Sequence, residues 1–236
     1  MVARTYGQLC GLALALDLVG DRWSLLIVRE LLVRPAGARY TDLRDGLPGI
    51  ATNLLADRLR DLEAAGVVRR EEPRPPVATP VFRLTERGAE LRPAVEALAI
   101  WGGGAVPAAP ADGEFRSRWL VLPAEAMLAD RRPAEPGVSI ELRTGDEPVL
   151  IEVAGGAVHA RTGRDADDPN PDLVISGPPK AVLGVISGKL PLGAAAGLGV
   201  RLGGEESVLS RVGLAESSAP TRFTPPDVAA HPPPEV

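Results

Sequence analysis

The sequence has very little cysteine and no long uninterrupted run of apolar residues. One cysteine in 236 residues excludes an internal disulfide framework and fits a reducing compartment. A membrane-spanning helix needs about 20 consecutive apolar residues, and the chain has no such run. Its first residues also lack the basic segment and long apolar core of a secretory signal. We therefore expect a cytoplasmic protein with no membrane insertion.

Histidine is also scarce, with two residues in the chain, which limits the chemistry open to it. Neither His159 nor His231 has a cysteine or carboxylate at metal-ligand spacing. No nucleophile, base and orienting acid occur in a pattern typical of catalysis. The sequence predicts no metal site, no cofactor and no enzymatic activity.

Charge is distributed unevenly along the chain. A net charge of −5 argues against a uniformly basic nucleic-acid binder. Residues 1–104 hold 14 arginines and 13 acidic residues, a net of +1, so the remainder carries −6. The first part would bind DNA only if its arginines share one surface. Six of them fall on the helix and hairpin described next: Arg58, Arg60, Arg69, Arg70, Arg74 and Arg83.

A helix with one apolar and one polar side is predicted between Gly49 and Leu62. Projected at about 100° per residue, the leucines gather on one side and a mixed polar set gathers on the other. Such a helix buries one side and presents the other. The apolar side comprises Leu54, Leu55, Leu59 and Leu62. The polar side comprises Asn53, Asp57, Arg60 and Ala64.

The segments around this helix predict a winged helix-turn-helix. A short helix over Tyr40–Gly46 precedes it, and Leu47-Pro-Gly49 forms the turn. After Gly66, residues 67–72 and 81–84 predict two strands around a proline-rich loop. In proteins with this arrangement the second helix enters the major groove of DNA, and the hairpin lies along the DNA backbone.

Three further helices complete the first part. Apolar spacing predicts one over Tyr6–Leu18 and another over Arg22–Val33, with Asp21 as a plausible N-cap. Thr85 can cap a last helix that reaches Trp101.

Residues 10–101 resemble the HxlR-type family of bacterial winged-helix transcription regulators. The resemblance implies a DNA-binding dimer in which the first and last helices pair. Ala51 stands where members usually carry a serine, and Thr79 where they carry an arginine near the wing tip. The matching pieces are Cys10, residues 15–23 (ALDLVGDRW), residues 25–31 (LLIVREL), residues 47–50 (LPGI), Leu59-x-x-Leu62, Glu63-x-x-Gly66, Leu84-Thr85, Gly88 and Trp101.

The predicted DNA contacts divide into two groups. Asn53, Asp57 and Arg60 should face base edges, since arginine can fork onto guanine, asparagine onto adenine, and aspartate can accept from cytosine. A second group should contact phosphates and fix the register. That group is Thr52, Arg58, Arg69, Arg70 and Arg83.

Cys10 occupies the cysteine position of the resembled family, in some members of which the thiol senses electrophiles or oxidants. A sensor thiol needs a nearby cation, such as Arg4, or a helix terminus. The alternative is an unreactive helix cysteine.

The character of the sequence changes after a Gly/Pro/Ala linker over 102–112. An apolar helical stretch over 116–130 is interrupted at Pro123. Alternation predicts strands at 138–143, 149–153, 157–162 and 172–176. Helices follow at 178–187, 192–196 and 205–212, with a short strand at 199–203. Residues 216–236 are proline-rich, and we expect them to be disordered.

The order of these elements from Val138 to Leu214 is similar to the sterol carrier protein type two family. The resemblance implies a curved sheet covered by helices that encloses an apolar tunnel. With 3% aromatic residues in the chain, an aliphatic lining is expected; the alternative is that the same residues fill a core. The candidate lining residues are Ile140, Leu142, Ile151, Val153, Leu183, Ile186 and Leu192.

The sequence therefore predicts a mainly α winged helix-turn-helix domain (1–101), a linker (102–112) and an α+β domain with a mostly antiparallel sheet (113–215). The expected function is a homodimeric regulator that binds double-stranded DNA and is modulated by a small apolar or lipid-like ligand. Two alternatives remain for the second half. It could be a lipid carrier and the principal functional part, or a dimerisation module without a pocket.

Overall fold

The computed structural model describes residues 5–72, 79–110 and 113–214. The chain divides into two compact units, Met1–Val95 and Glu96–Val236. The predicted wing residue Arg74, the candidate cation Arg4 and the predicted disordered tail 216–236 lie outside the described residues.

The first unit combines helices with a small antiparallel sheet in the order β1-β3-β2. Helix, turn, helix and hairpin follow one another as the sequence predicts. The elements are α1 (Gly11–Val19), α2 (Ser24–Leu32), β1 (Ala38–Arg39), α3 (Tyr40–Gly46), α4 (Thr52–Ala64), β2 (Val68–Glu71), β3 (Val81–Leu84) and α5 (Glu86–Ala89), and α6 (Arg92–Gly102) begins in this unit.

Helix α4 is held by its leucines. Leu55, Leu59 and Leu62 are 0–2% exposed, and Ile27 and Leu43 of the same unit are also fully buried. Leu54 is only half-buried. The predicted apolar side of the helix is thus the buried side, and its polar side remains in water.

The turn between α3 and α4 depends on Gly49. Its φ of +85° lies in the left-handed region that side chains other than glycine rarely adopt. The Tyr40 hydroxyl donates to the Thr52 carbonyl oxygen at 2.6 Å, which joins the start of α3 to the start of α4. These two features fix where α4 begins.

The helices that flank this core differ from the predictions in their ends. Helix α1 begins later than Tyr6 because the Tyr6 amide donates to the Asp17 carboxylate at 2.9 Å. The prediction that Asp21 caps α2 is wrong: Trp23 holds the N-cap position with a φ of 82°, without a side-chain cap. The Asp21 carboxylate binds Arg58 instead.

The last predicted helix is two helices. Thr85 caps α5 as predicted, accepting from the Gly88 amide at 3.0 Å. Pro93 then lies in the first turn of α6. Proline has no amide proton and its ring would clash with the carbonyl four residues earlier, at Ala89, so a new helix starts.

The second unit is α+β. Its five-stranded sheet has the order β7-β6-β5-β8-β9, in which β5 and β8 are parallel and the other neighbours antiparallel. A separate pair joins β4 and β10. The elements are 3-10 helices at Gly103–Ala108 and Ser117–Leu120, α7 (Val121–Met127), β4 (Leu128–Asp130), β5 (Val138–Arg143), β6 (Pro148–Ala154), β7 (Ala157–Thr162), β8 (Leu173–Ser176), α8 (Pro179–Ile186), α9 (Leu192–Gly197), β9 (Arg201–Gly204), α10 (Val208–Arg211) and β10 (Val212–Leu214).

One face of this sheet forms the core of the second unit. Ile140 pairs across strands with Ile151, and Leu142 with Val149; all four are 0–2% exposed. Pro123 does not interrupt α7, because it lies in the first turn, where no amide donor is needed. Most of the predicted linker is helical, with α6 reaching Gly102 and a 3-10 helix following.

In the part of the chain that the structure describes, no helix combines the length and apolar character needed to cross a membrane.

An ion pair between Asp130 and Arg211 ties the ends of β4 and α10 together. Two bonds of 3.0 and 3.1 Å join the guanidinium to the carboxylate, and the side chains are 0% and 4% exposed. The carboxylate also accepts from the amides of Arg132 and Gly156. The hydrogen bond from Arg211, followed by these amides, lowers the pKa of Asp130 to about 2.

This pair predicts an acid-sensitive component of stability. Since the folded pKa lies below the ordinary value of 3.8, the stabilisation is complete above about pH 4 and is lost as the pH falls toward about 2. Urea unfolding midpoints of the wild type and Asp130→Asn should differ most near neutral pH and converge in acid. If the two midpoints differed by the same amount at every pH, the ion pair between Asp130 and Arg211 would not be the source of this acid sensitivity.

Candidate nucleic-acid interface

The polar side of α4 presents the residues predicted to face base edges. Asn53 is exposed, and the side chains of Asp57 and Arg60 are 45% and 72% exposed. The Arg60 guanidinium donates to the Asp57 carboxylate three residues earlier. The presented side therefore carries an amide and an ion pair, whose charges offset each other in the free protein.

Thr52 and Arg58 occupy different environments although both were predicted to contact phosphates. Thr52 is exposed at the first residue of α4. Arg58 is 19% exposed; it binds Asp21 and lies 3.2 Å from a carboxylate oxygen of Asp61. Its guanidinium therefore joins α4 to the turn before α2.

The hairpin arginines separate onto two faces. Arg69 and Arg83 are cross-strand partners and share the outer face, because side chains directly opposite each other lie on the same side of a sheet. Arg70 pairs with Phe82 on the face that carries buried Val68. The structure brings two of the three arginines together.

Glu71 lies between the paired arginines. Arg83 Nε donates to one of its oxygens at 2.8 Å and Arg69 Nε to the other at 3.0 Å. Arg83 also donates to the Pro35 carbonyl oxygen at 2.8 Å. The hydrogen bond from Arg83, with that from Arg69, lowers the pKa of the Glu71 carboxyl, which stays ionised at neutral pH.

Among the residues that the structure describes, a carboxylate therefore accompanies each exposed arginine of the helix and hairpin. Arg70 has its own partner, Glu72, at 3.0 Å. A DNA phosphate would have to displace these carboxylates. Glu71 was not among the residues predicted from the sequence, although its spacing of two from Arg69 places both side chains on one face of a strand.

Cys10 is exposed at the N-cap position of α1. The amides of Ala13 and Leu12 lower the pKa of its thiol, because they stabilise the thiolate at the helix terminus, although no side-chain capping bond forms. The helix terminus that a reactive thiol needs is present.

The described residues of the second unit line two cavities. The smaller, of 310 Å³, has a mostly aliphatic lining that includes Ile140, Ile151, Ile186 and Leu192, together with Arg131. The larger, of 600 Å³, includes Leu183 together with Phe115 and Trp119, so its lining departs from the aliphatic one that was expected. The other two predicted lining residues, Leu142 and Val153, are fully buried and line neither cavity.

Within the described residues, no group of three or more histidine, cysteine or carboxylate side chains could hold a metal ion. His159 is exposed on β7.

The arrangement of α3, α4 and the hairpin defines a winged helix-turn-helix unit, and comparison with known proteins agrees. Residues 18–109 match the model of the HxlR-like helix-turn-helix family. The uncharacterized HTH-type transcriptional regulator sll1512 of Synechocystis sp. is 38% identical over 94 residues, which cover 39% of this chain and 67% of that protein. The uncharacterized HTH-type transcriptional regulator YkvN of Bacillus subtilis is 30% identical over 106 residues, or 45% and 88% of the two chains.

A solved structure, the redox regulator HypR in its reduced form, is 28% identical with a TM-score of 0.37 and covers 41% of this chain and 93% of that one. The family match and the curated relatives show that the chain belongs to the HxlR-like helix-turn-helix family. Its relatives are HTH-type transcriptional regulators, which supports DNA-binding transcription regulation. The family match ends at residue 109, before the sheet of the second unit.

The carboxylate between Arg69 and Arg83 predicts a variant that binds DNA more tightly. In Glu71→Gln both arginines become available to phosphates, so affinity for any duplex should rise by about 2- to 10-fold. The dependence of log K on log salt should steepen by roughly one unit for each additional phosphate that the variant neutralises. Fluorescence anisotropy at several salt concentrations measures both quantities.

Glu72→Gln is the matched control, since it removes the same charge from the same hairpin but frees Arg70, on the other face. We expect a smaller increase in affinity. Equal increases for the two variants would show that net charge alone sets the effect.

Proposed function

We propose that the protein is a homodimeric transcription regulator that reads the major groove with the presented side of α4. The observation that supports this most is the burial of Leu55, Leu59 and Leu62, which leaves Asn53 and Arg60 on the opposite side, in water. Arg60 would release Asp57 and fork onto guanine, and Asn53 onto adenine. Asp57 would then accept from cytosine and penalise other bases.

The phosphate contacts would come from both sides of α4. Arg69 and Arg83 share one exposed face of the hairpin, and Thr52 lies at the amino end of α4, where free amides attract phosphate. In this proposal Arg58 fixes the orientation of α4 through Asp21 and Asp61, and Arg70 makes at most a peripheral contact.

Exposed apolar side chains on α1 support a homodimer. Leu9, before the helix, and Leu12, Leu14, Leu16 and Leu18 within it are all exposed in the single chain. Leu98 and Trp101 of α6 are 50% and 61% exposed. Exposed apolar side chains of this kind are typical of protein–protein contacts, and pairing of the first and last helices between two copies would cover them. A two-fold dimer would bind a two-fold symmetric site.

The second unit would bind a small apolar ligand that modulates DNA affinity. The aliphatic cavity of 310 Å³ and the resemblance to sterol carrier proteins support this part of the proposal. Coupling must be reciprocal: a ligand that weakens DNA binding about tenfold must itself bind about tenfold more weakly to the DNA complex.

Base reading by Arg60 is tested by comparing specific with random DNA. Arg60→Ala should lose about 1–3 kcal/mol of discrimination if its contact with guanine is bidentate. Arg69→Ala is the control, because loss of a phosphate contact weakens both kinds of DNA alike. If Arg60→Ala lost the same binding free energy on specific and on random DNA, Arg60 would not be a residue that contacts bases.

Cys10 would act as a thiol sensor in this regulator. The lowered pKa of the exposed thiol raises the fraction present as reactive thiolate at neutral pH. Mild oxidant should weaken DNA binding, and Cys10→Ser should keep reduced binding while losing the response. A response that persists in Cys10→Ser would return the thiol to a structural role.

A further inference from the structure

The cavity of 600 Å³ in the Glu96–Val236 unit and the cavity of 310 Å³ are both lined in part by residues of α8. Leu183 and Ser187 line the larger cavity, whereas Val185 and Ile186 line the smaller one. No described residue lines both cavities. The two cavities are therefore separate sites, and α8 forms a wall of each.

The walls of the larger cavity are suited to the apolar part of a small-molecule ligand. Val106, Leu120 and Met127 contribute aliphatic surface. Phe115 and Trp119 form a corner in which the ring centroids are 6.3 Å apart and the planes meet at 80°. A volume of 600 Å³ falls within the range of about 300–1,000 Å³ that is typical of small-molecule sites.

The charges along this cavity favour an anion. The chain has two lysines among its 26 basic residues, and both Lys180 and Lys189 line the cavity. Glu114 is the acidic lining residue, and its carboxylate is bonded to Arg116 at 3.2 Å. Among charged side chains of the lining, two ammonium groups thus face one carboxylate that already has a partner.

The two lysines have different roles. Lys180 Nζ donates to the Ala109 carbonyl oxygen, so it joins α8 to the segment that follows the first 3-10 helix of the unit. Lys189 is exposed and has no ion pair among the residues that the structure describes. Its three ammonium protons remain available for a ligand.

The end of α8 fixes the position of Lys189. Gly188 adopts a φ of +65° and its amide donates to Val185, while the Lys189 amide donates to the Gly184 carbonyl oxygen, each at 3.0 Å. These two bonds form a Schellman motif, which holds the backbone after the helix in one conformation. The ammonium group therefore extends from a defined point on the cavity rim.

We propose that this cavity binds a monocarboxylate with an apolar chain, whose carboxylate pairs with Lys189 and whose chain lies among the apolar walls. The proposal does not depend on DNA binding, and it concerns a different cavity from the one assigned to the apolar ligand above.

The test uses the full-length chain with decanoate and 1-decanol as probes, since these share a chain length and differ in charge. Isothermal titration calorimetry should give decanoate an affinity about tenfold higher than that of decanol. Lys189→Gln should remove this difference while decanol binding is unchanged, and Lys189→Arg should restore it. Equal binding of the two probes by the wild type would overturn the proposal.

Two cavity-filling variants locate the site. Leu183→Trp should abolish decanoate binding, whereas Leu192→Trp, in the smaller cavity, should leave it unchanged. Thermal unfolding of each variant shows whether it is folded. The reverse result in folded variants would place the probe in the smaller cavity and contradict the proposal.

Discussion

The burial of Leu55, Leu59 and Leu62 against the core of the first unit is the constraint on which the interface depends. Each fully buried leucine contributes about 1.5–3 kcal/mol, so rotation of α4 about its axis would be costly. The orientation of the helix determines which residues remain in water. Asn53 and Arg60 face water because the leucines on the opposite side of α4 are buried.

Electrostatics then limit how strongly this surface attracts DNA. Arg60 forms an ion pair with Asp57, and Arg69 and Arg83 both form ion pairs with Glu71. Exposed ion pairs of this kind are individually weak, about 0–1 kcal/mol, so phosphate can displace them. In the proposed interface they would lower the affinity for DNA of any sequence and leave base contacts to decide where the protein binds. The net charge of +1 on residues 1–104 is consistent with this balance between arginines and carboxylates.

Sequence periodicity predicted the elements that are long or clearly amphipathic. Helix α4, β5 and β7 are examples, because burial on one face leaves a period of 3.6 or 2 in the residues. Two-residue β1 leaves no such pattern. The contact between Asp21 and Arg58 spans 37 positions, and the left-handed Trp23 depends on the surrounding fold, so neither could be predicted locally. Likewise, the larger cavity joins segments from residue 99 to residue 189.

We propose that α4 lies in the major groove. Dimethyl sulfate modifies guanine N7, which is exposed in that groove, so a protection experiment on the DNA upstream of the protein's own coding region addresses it directly. With α4 in that groove, two clusters of guanines about one helical turn apart should be protected, and protection at guanine should be lost in Arg60→Ala. Undiminished N7 reactivity on DNA that the protein demonstrably occupies would contradict it.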